Sequence, residues 1–113
     1  MDDCLFCKII TGEIPSARVF ENEHVYAFRD INPQAPVHIL VIPKEHIASA
    51  ADIAAENSRC AAKCFEAIPE IARQEGLGSD FRVITNSGSG AGQSVFHLHF
   101  HLIGGQPLGE RLV

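Results

Sequence analysis

The chain has 113 residues, 46% of them hydrophobic, and a formal net charge of -5 at pH 7. That length suits one domain around a modest core. The acidic balance, with no basic patch, excludes non-specific binding to nucleic acid or anionic membranes, and no apolar run approaches the roughly 20 residues of a membrane span.

Met1, Asp2 and Asp3 precede only a short apolar patch and no basic leader, so a cytoplasmic protein without a signal peptide is expected. Cys4 to Ile10 reads as a short helix or turn ended by Thr11 and Gly12. Arg18 to Glu21 and Val25 to Arg29 are short strands around a polar Glu21-Asn22-Glu23-His24 turn, an antiparallel hairpin. The prolines of Ile31-Asn32-Pro33-Gln34-Ala35-Pro36 make that stretch a loop. Val37 to Ile42, rich in β-branched residues and stopped by Pro43, is a central strand.

From about Ser58 to Gln74, Ala61, Phe65, Ile68 and Ala72 recur at helical spacing and predict an amphipathic helix closed near Gly76. Pro69 removes the amide that would bond the Phe65 carbonyl, so a kink is expected there. Phe81 to Thr85 and Phe96 to Ile103 are the last two strands. Strands that mostly adjoin one another in sequence predict an α+β fold. Its antiparallel sheet has about five strands, beside one main helix and a short N-terminal helix.

The final strand carries the strongest chemical signal. His97, His99 and His101 alternate with apolar residues, and positions i, i+2 and i+4 of a strand project from one face. Phe96, Leu98, Phe100 and Leu102 would form the opposite, apolar face, leaving the histidines toward an open side of the sheet. His97 and His101 would sit roughly 13 Å apart along a strand, too far to share one zinc. A polar surface strand is the simpler alternative. Strict register beside a glycine-rich loop favours chemistry.

That loop, Asn86-Ser87-Gly88-Ser89-Gly90-Ala91-Gly92-Gln93-Ser94, can turn its amides toward an anion and add serine hydroxyls. Alone it would be a flexible connector. Imidazole attacks phosphorus and leaves again readily, and neighbouring imidazoles can polarise a phosphate or move protons near neutral pH. Attack on a phosphate ester, anhydride or amide is the expected reaction.

His97-Leu98-His99-Phe100-His101-Leu102-Ile103 resembles the His-φ-His-φ-His-φ-φ signature of the histidine triad (HIT) superfamily. The resemblance extends through Cys4 to Ile14, Phe28-Arg29-Asp30-Ile31, Pro33 to His38, Val41-Ile42-Pro43-Lys44, Asn86, Gly92-Gln93-Ser94 and Gly104-Gly105. It is nearest to the histidine-triad nucleotide-binding (Hint) branch. This implies a homodimer with one continuous sheet and hydrolysis of purine nucleoside phosphoramidates and related adenylates.

By that resemblance His99 is the nucleophile and forms a nucleotidyl-histidine that water cleaves. His101 and His38 flank the phosphate; Asn86, Gly92, Gln93 and Ser94 bind it, with Ser94 assisting the departing amine. Asp30 holds ribose hydroxyls. Leu5, Phe6, Ile9, Phe28 and Ile31 line the base pocket, with core packing an equal alternative for these five. The segment Gln106 to Val113 lacks the Trp that many relatives carry, which leaves the leaving-group preference open.

Cys4-Leu5-Phe6-Cys7 is a CxxC pair that needs further ligands to make a metal site. Some bacterial members of the superfamily carry a Cys, Cys, His, His set, and the resemblance makes His46 and His97 the partners. Such a shell is full, so the implied zinc is structural. The alternative is two small apolar cysteines and a surface His46. Cys60 and Cys64, four apart on the helix, have no evident histidine partner and are read as structural; His24 is read as solvated.

Three functions follow as expectations. The first is a phosphoramidate hydrolase. The others are a dinucleoside polyphosphate hydrolase of the sister branch and a non-catalytic nucleotide- and zinc-binding adaptor.

Overall fold

The structure, a computed structural model, describes residues 3–113. Five strands form one antiparallel sheet in the order β1-β2-β3-β5-β4, with β1 at Arg18–Glu21, β2 at Val25–Arg29, β3 at Val37–Pro43, β4 at Phe81–Ile84 and β5 at Phe100–Gly104. Helices α1 (Leu5–Ile10) and α2 (Arg59–Gln74) complete the α+β architecture that strand adjacency predicts. Single 3-10 turns at Ala50–Asp52 and Ser89–Ala91 lie where the sequence suggests only loop.

The sheet separates two apolar clusters because strand side chains alternate between faces. On one face Val25, Ala27, Ile39, Val41, Phe100 and Leu102 pack with Cys64, Ile68 and Ile71 of α2. On the other, Tyr26, Phe28, Leu40 and Ile42 pack with Phe6 and Ile9 of α1. His38 and His101 project on this second face, since His101 stands opposite Leu40 across the β3–β5 ladder.

The buried side of α2 is rotated from the predicted one. Cys60, Cys64, Ala67, Ile68, Ile71 and Ala72 are buried, Ala61 is half-buried and Phe65 is 52% exposed, its ring edge against Phe100. Cysteine and alanine supply the surface that lets this helix approach the sheet, and both cysteines serve as core. Pro69 lies inside α2 without ending it. Pro69 and Phe65 both sit on the exposed side, where water can take the carbonyl that proline leaves unbonded.

The last strand is shorter than alternation suggests. It begins at Phe100, not Phe96, so His97 and His99 precede it. Proline ends the pairing: β3 pairs with β5 only as far as Val41↔Phe100, and the Pro43 carbonyl accepts instead from the His97 ring. Phe96 consequently falls outside the apolar face and is 50% exposed, while Leu98, Phe100 and Leu102 stay buried. The histidine side is not open either, because α1 covers it and leaves His97 fully buried.

Truncating the buried side of α2 should be far costlier than truncating its rim. Ile71→Ala is expected to destabilise by about 2–5 kcal/mol, and Phe65→Ala by less. Urea denaturation of both variants checks this, and the reverse ranking would contradict the observed helix orientation.

Candidate functional site

Cys4 has extended backbone geometry and its sulfur accepts the Cys7 amide at 3.3 Å, so the first cysteine caps the helix that carries the second. The i, i+3 spacing then puts both thiols on one side of α1. His46, in the loop after β3, brings its Nδ1 to 3.4 Å from the Cys7 sulfur and 3.2 Å from His97 Nδ1. His97 Nδ1 lies 3.5 Å from the Cys4 sulfur and 3.6 Å from that of Cys7.

Ligands about 2.3 Å (sulfur) and 2.05 Å (nitrogen) from a tetrahedral centre stand roughly 3.6 Å apart for a sulfur–nitrogen pair and 3.3 Å for two nitrogens. The four side chains therefore form a cluster of the right size to hold one metal ion. The ring anchor agrees. His97 Nε2–H donates to the Pro43 carbonyl at 2.8 Å, which leaves the Nδ1 lone pair facing the thiols. Cys4, Cys7, His46 and His97 are thus brought together, as the resemblance implied.

A second histidine group, on β3 and β5, has different geometry. The Gln34 amide donates to His38 Nδ1 at 3.0 Å, so His38 carries its proton on Nε2 and donates to His101 Nδ1 at 2.9 Å. His101 in turn keeps a proton on Nε2, available to a phosphate oxygen. Asp30 Oδ2 lies 3.4 Å from His38 Nε2, and its Oδ1 accepts the Asn32 amide at 2.8 Å. Although Asp30, His38 and His101 are close enough to share a cation, the tautomer chain makes them a hydrogen-bonded relay.

His99 sits between the two groups, edge-on to Phe6 at 5.2 Å and to His101 at 5.1 Å between ring centroids. Its Nδ1–H donates to the His97 carbonyl at 2.8 Å. The lone pair is therefore on Nε2, the arrangement a nucleophilic imidazole requires.

Of the loop residues, Gln93 does not reach outward. It is 4% exposed; its Oε1 accepts the Gly88 amide and its Nε2 donates to the Ala48 and Val95 carbonyls, so it braces the loop from inside. Ser94 is exposed and Asn86 half-buried. Gly92 has φ of 95°, which favours glycine, and a Cβ there would come within 3.9 Å of Asn86 Nδ2. Phe6, Ile9 and Phe28 are core residues, with Phe6 and Phe28 in edge contact at 5.4 Å, whereas Leu5 and Ile31 are 42% and 101% exposed.

A concavity of about 740 Å³ lies away from this chemistry, between β4 and the tail segment Gln106 to Gly109. Arg82 pins that tail by donating to the Gly109 and Arg111 carbonyls. The orienting groups that sequence reading missed, the Gln34 amide and the Pro43 and His97 carbonyls, belong to the main chain. No residue-type pattern signals them.

Burial pushes His101 down to about 4, with His99 and His38 adding to the depression and Asp30 opposing it. The folded protein then binds fewer protons at this site than the unfolded chain between pH ~6.5 and ~4, so stability is full above that window and is lost as pH falls through it. His101→Asn should flatten this acid-side decline. Denaturation at a series of pH values reads it, and an unaltered slope would mean that His101 titrates normally.

A HIT domain model matches residues 11–108. Protein HitA of Neisseria gonorrhoeae is 47% identical over 104 residues, covering 92% of this chain and 97% of that one. The purine nucleoside phosphoramidase of Escherichia coli (strain K12) is 45% identical over 112 residues, covering 98% and 94%. Among solved structures, a HIT family hydrolase from Clostridium thermocellum superposes with a TM-score of 0.97 at 46% identity, covering 100% of this chain and 99% of that chain. A five-stranded sheet that sets His38 and His101 beside His99, matched over nearly its whole length in both sequence and structure, places this chain in the HIT domain family.

Proposed function

We propose that the protein is a purine nucleoside phosphoramidate hydrolase, working through a nucleotidyl-histidine on His99. The observation that carries this reading is the 2.8 Å bond from His99 Nδ1–H to the His97 carbonyl, which leaves Nε2 unprotonated beside the Nε2–H of a neutral His101. The E. coli relative's name and the overall likeness support the substrate class.

In the first step His99 Nε2 attacks phosphorus and the bond to the departing nitrogen breaks, that nitrogen taking a proton relayed from solvent by the Ser94 hydroxyl. Water then attacks the nucleotidyl-histidine, the bond from phosphorus to His99 breaks and the nucleoside monophosphate leaves. His101 donates to a phosphate oxygen, and His38 keeps His101 in the donating tautomer. Asn86, Gly92 and Ser94 hold the remaining oxygens. Asp30 receives the ribose hydroxyls, and exposed Leu5 and Ile31 offer apolar surface to the base. Gln93 is assigned to bracing the loop.

Cys4, Cys7, His46 and His97 would hold a metal, which we read as zinc, since two thiols and two imidazoles suit it and fill its shell. When bound it is structural, tying α1 to the segment that bears His99. A homodimer joined through sheet edges, cytoplasmic location and no nucleic-acid or membrane partner complete the reading. The acidic charge supports the absence of a nucleic-acid or anionic-membrane partner, and among the described residues no helix is long and apolar enough to cross a membrane.

His99→Ala should lower kcat on adenosine 5′-phosphoramidate by at least about a thousandfold with the fold intact. Intact mass should show an adenylyl adduct on the wild type only. Undiminished turnover in the variant would overturn the mechanism, whereas nucleotide binding without turnover by either protein would favour an adaptor. For zinc, elemental analysis should find about one metal per chain, and chelation should lower the melting temperature. A metal bound at a thousandfold excess over its Kd stabilises by about 4 kcal/mol. Metal-free protein whose melting temperature ignores both zinc and chelator would refute the assignment.

A further inference from the structure

The residue that bears the proposed chemistry lies just beyond the regular sheet on both sides. The ladder from β3 ends at Val41↔Phe100 and that from β4 ends at Ile84↔His101, so His99 has no strand partner in either direction. Its main chain is nevertheless buried with the residue, which is 7% exposed. The hydroxyl of Thr85, the first residue after β4, donates to the His99 carbonyl at 2.8 Å.

We infer that Thr85 is a positioning residue for His99, its hydroxyl standing in for the ladder bond that the sheet does not extend to this point. The inference rests on the reading of His99 as the nucleophile. Two bonds fix that residue: the ring to the His97 carbonyl, which sets the tautomer, and the carbonyl to Thr85, which sets the peptide plane from which the ring projects. A ring displaced by a fraction of an ångström loses alignment with phosphorus while the nucleotide still binds elsewhere. Thr85 therefore acts on the chemical step more than on binding. Asn86 follows it directly in the chain, so one strand end delivers both the brace for His99 and a proposed phosphate ligand.

The isosteric Thr85→Val removes the hydroxyl and keeps the branched shape, and Thr85→Ser restores the hydroxyl without the methyl. On adenosine 5′-phosphoramidate, Thr85→Val is expected to reduce kcat about tenfold, matching a lost hydrogen bond of ordinary strength, with KM within about twofold. Thr85→Ser should recover most of the rate. In ¹⁵N spectra of the histidine rings, wild type and Thr85→Ser should show His99 as a single Nδ1–H tautomer, and Thr85→Val a shifted or mixed signature.

Thr85→Val with wild-type kcat and an unchanged His99 ring signature would overturn the inference. So would a rate loss that Thr85→Ser shares despite a native melting temperature. If the wild type itself does not turn over the substrate, the proposed activity fails. The ring spectra of the three proteins then still decide whether Thr85 positions His99.

Discussion

His97 is held at three points, and each faces a different part of the protein. Its Nε2–H is tied to the Pro43 carbonyl, its Nδ1 closes the group formed with Cys4, Cys7 and His46, and its carbonyl takes the ring proton of His99. The residue is wholly buried, so its polar atoms find their partners inside the protein. The end of β3, the N-terminal helix and the tautomer of His99 are thereby fixed relative to one another through a single imidazole and its peptide. The proposed chemistry depends on this junction because an unanchored His99 could carry its proton on either nitrogen.

The same side chain acquires two chemistries here by the direction in which each ring is anchored. An imidazole whose Nε2–H points at a carbonyl presents a lone pair at Nδ1, and beside two thiols that suits a soft cation. In the β3–β5 group the anchor is reversed: a main-chain amide donates to His38 Nδ1, the next proton passes to His101, and the 2.9 Å separation belongs to a hydrogen bond. Burial beside other imidazoles keeps His101 neutral, which preserves it as a directed donor of one proton. Neighbouring histidines thus divide into a set placed with two thiols where a metal ion could be held and a proton-ordering set, without any change in residue type.

The glycine-rich loop shows a comparable division. Its flexibility by composition is opposed by Gln93, whose carboxamide makes three bonds to main-chain groups, at Gly88 within the loop, at Val95 just after it and at Ala48 in the segment after β3. Those bonds leave Gly92, Ser94 and Asn86 at the rim on a braced scaffold. Arranging loop amides beforehand lowers the entropic cost of gripping an anion.

Much of the architecture was legible in the chain itself. The hairpin of β1 and β2 follows from alternation around a polar turn, β3 from its β-branched run, and the short helix from Cys4 to Ile10; the triad and the CxxC pair, read through a family resemblance, named the residues that the fold then assembled. These features are local or repeat at a fixed period, so residue type and spacing carry them. Tertiary structure decided the rest. That Phe65 lies at the rim while Cys60 and Cys64 face the sheet depended on how closely α2 could pack, and the late start of β5 depended on where Pro43 ends its partner. Which nitrogen holds the proton was set by main-chain groups, the Pro43 carbonyl for His97, the His97 carbonyl for His99 and the Gln34 amide for His38. Main-chain atoms are common to every residue, so the chemistry they impose is visible only once the chain has folded.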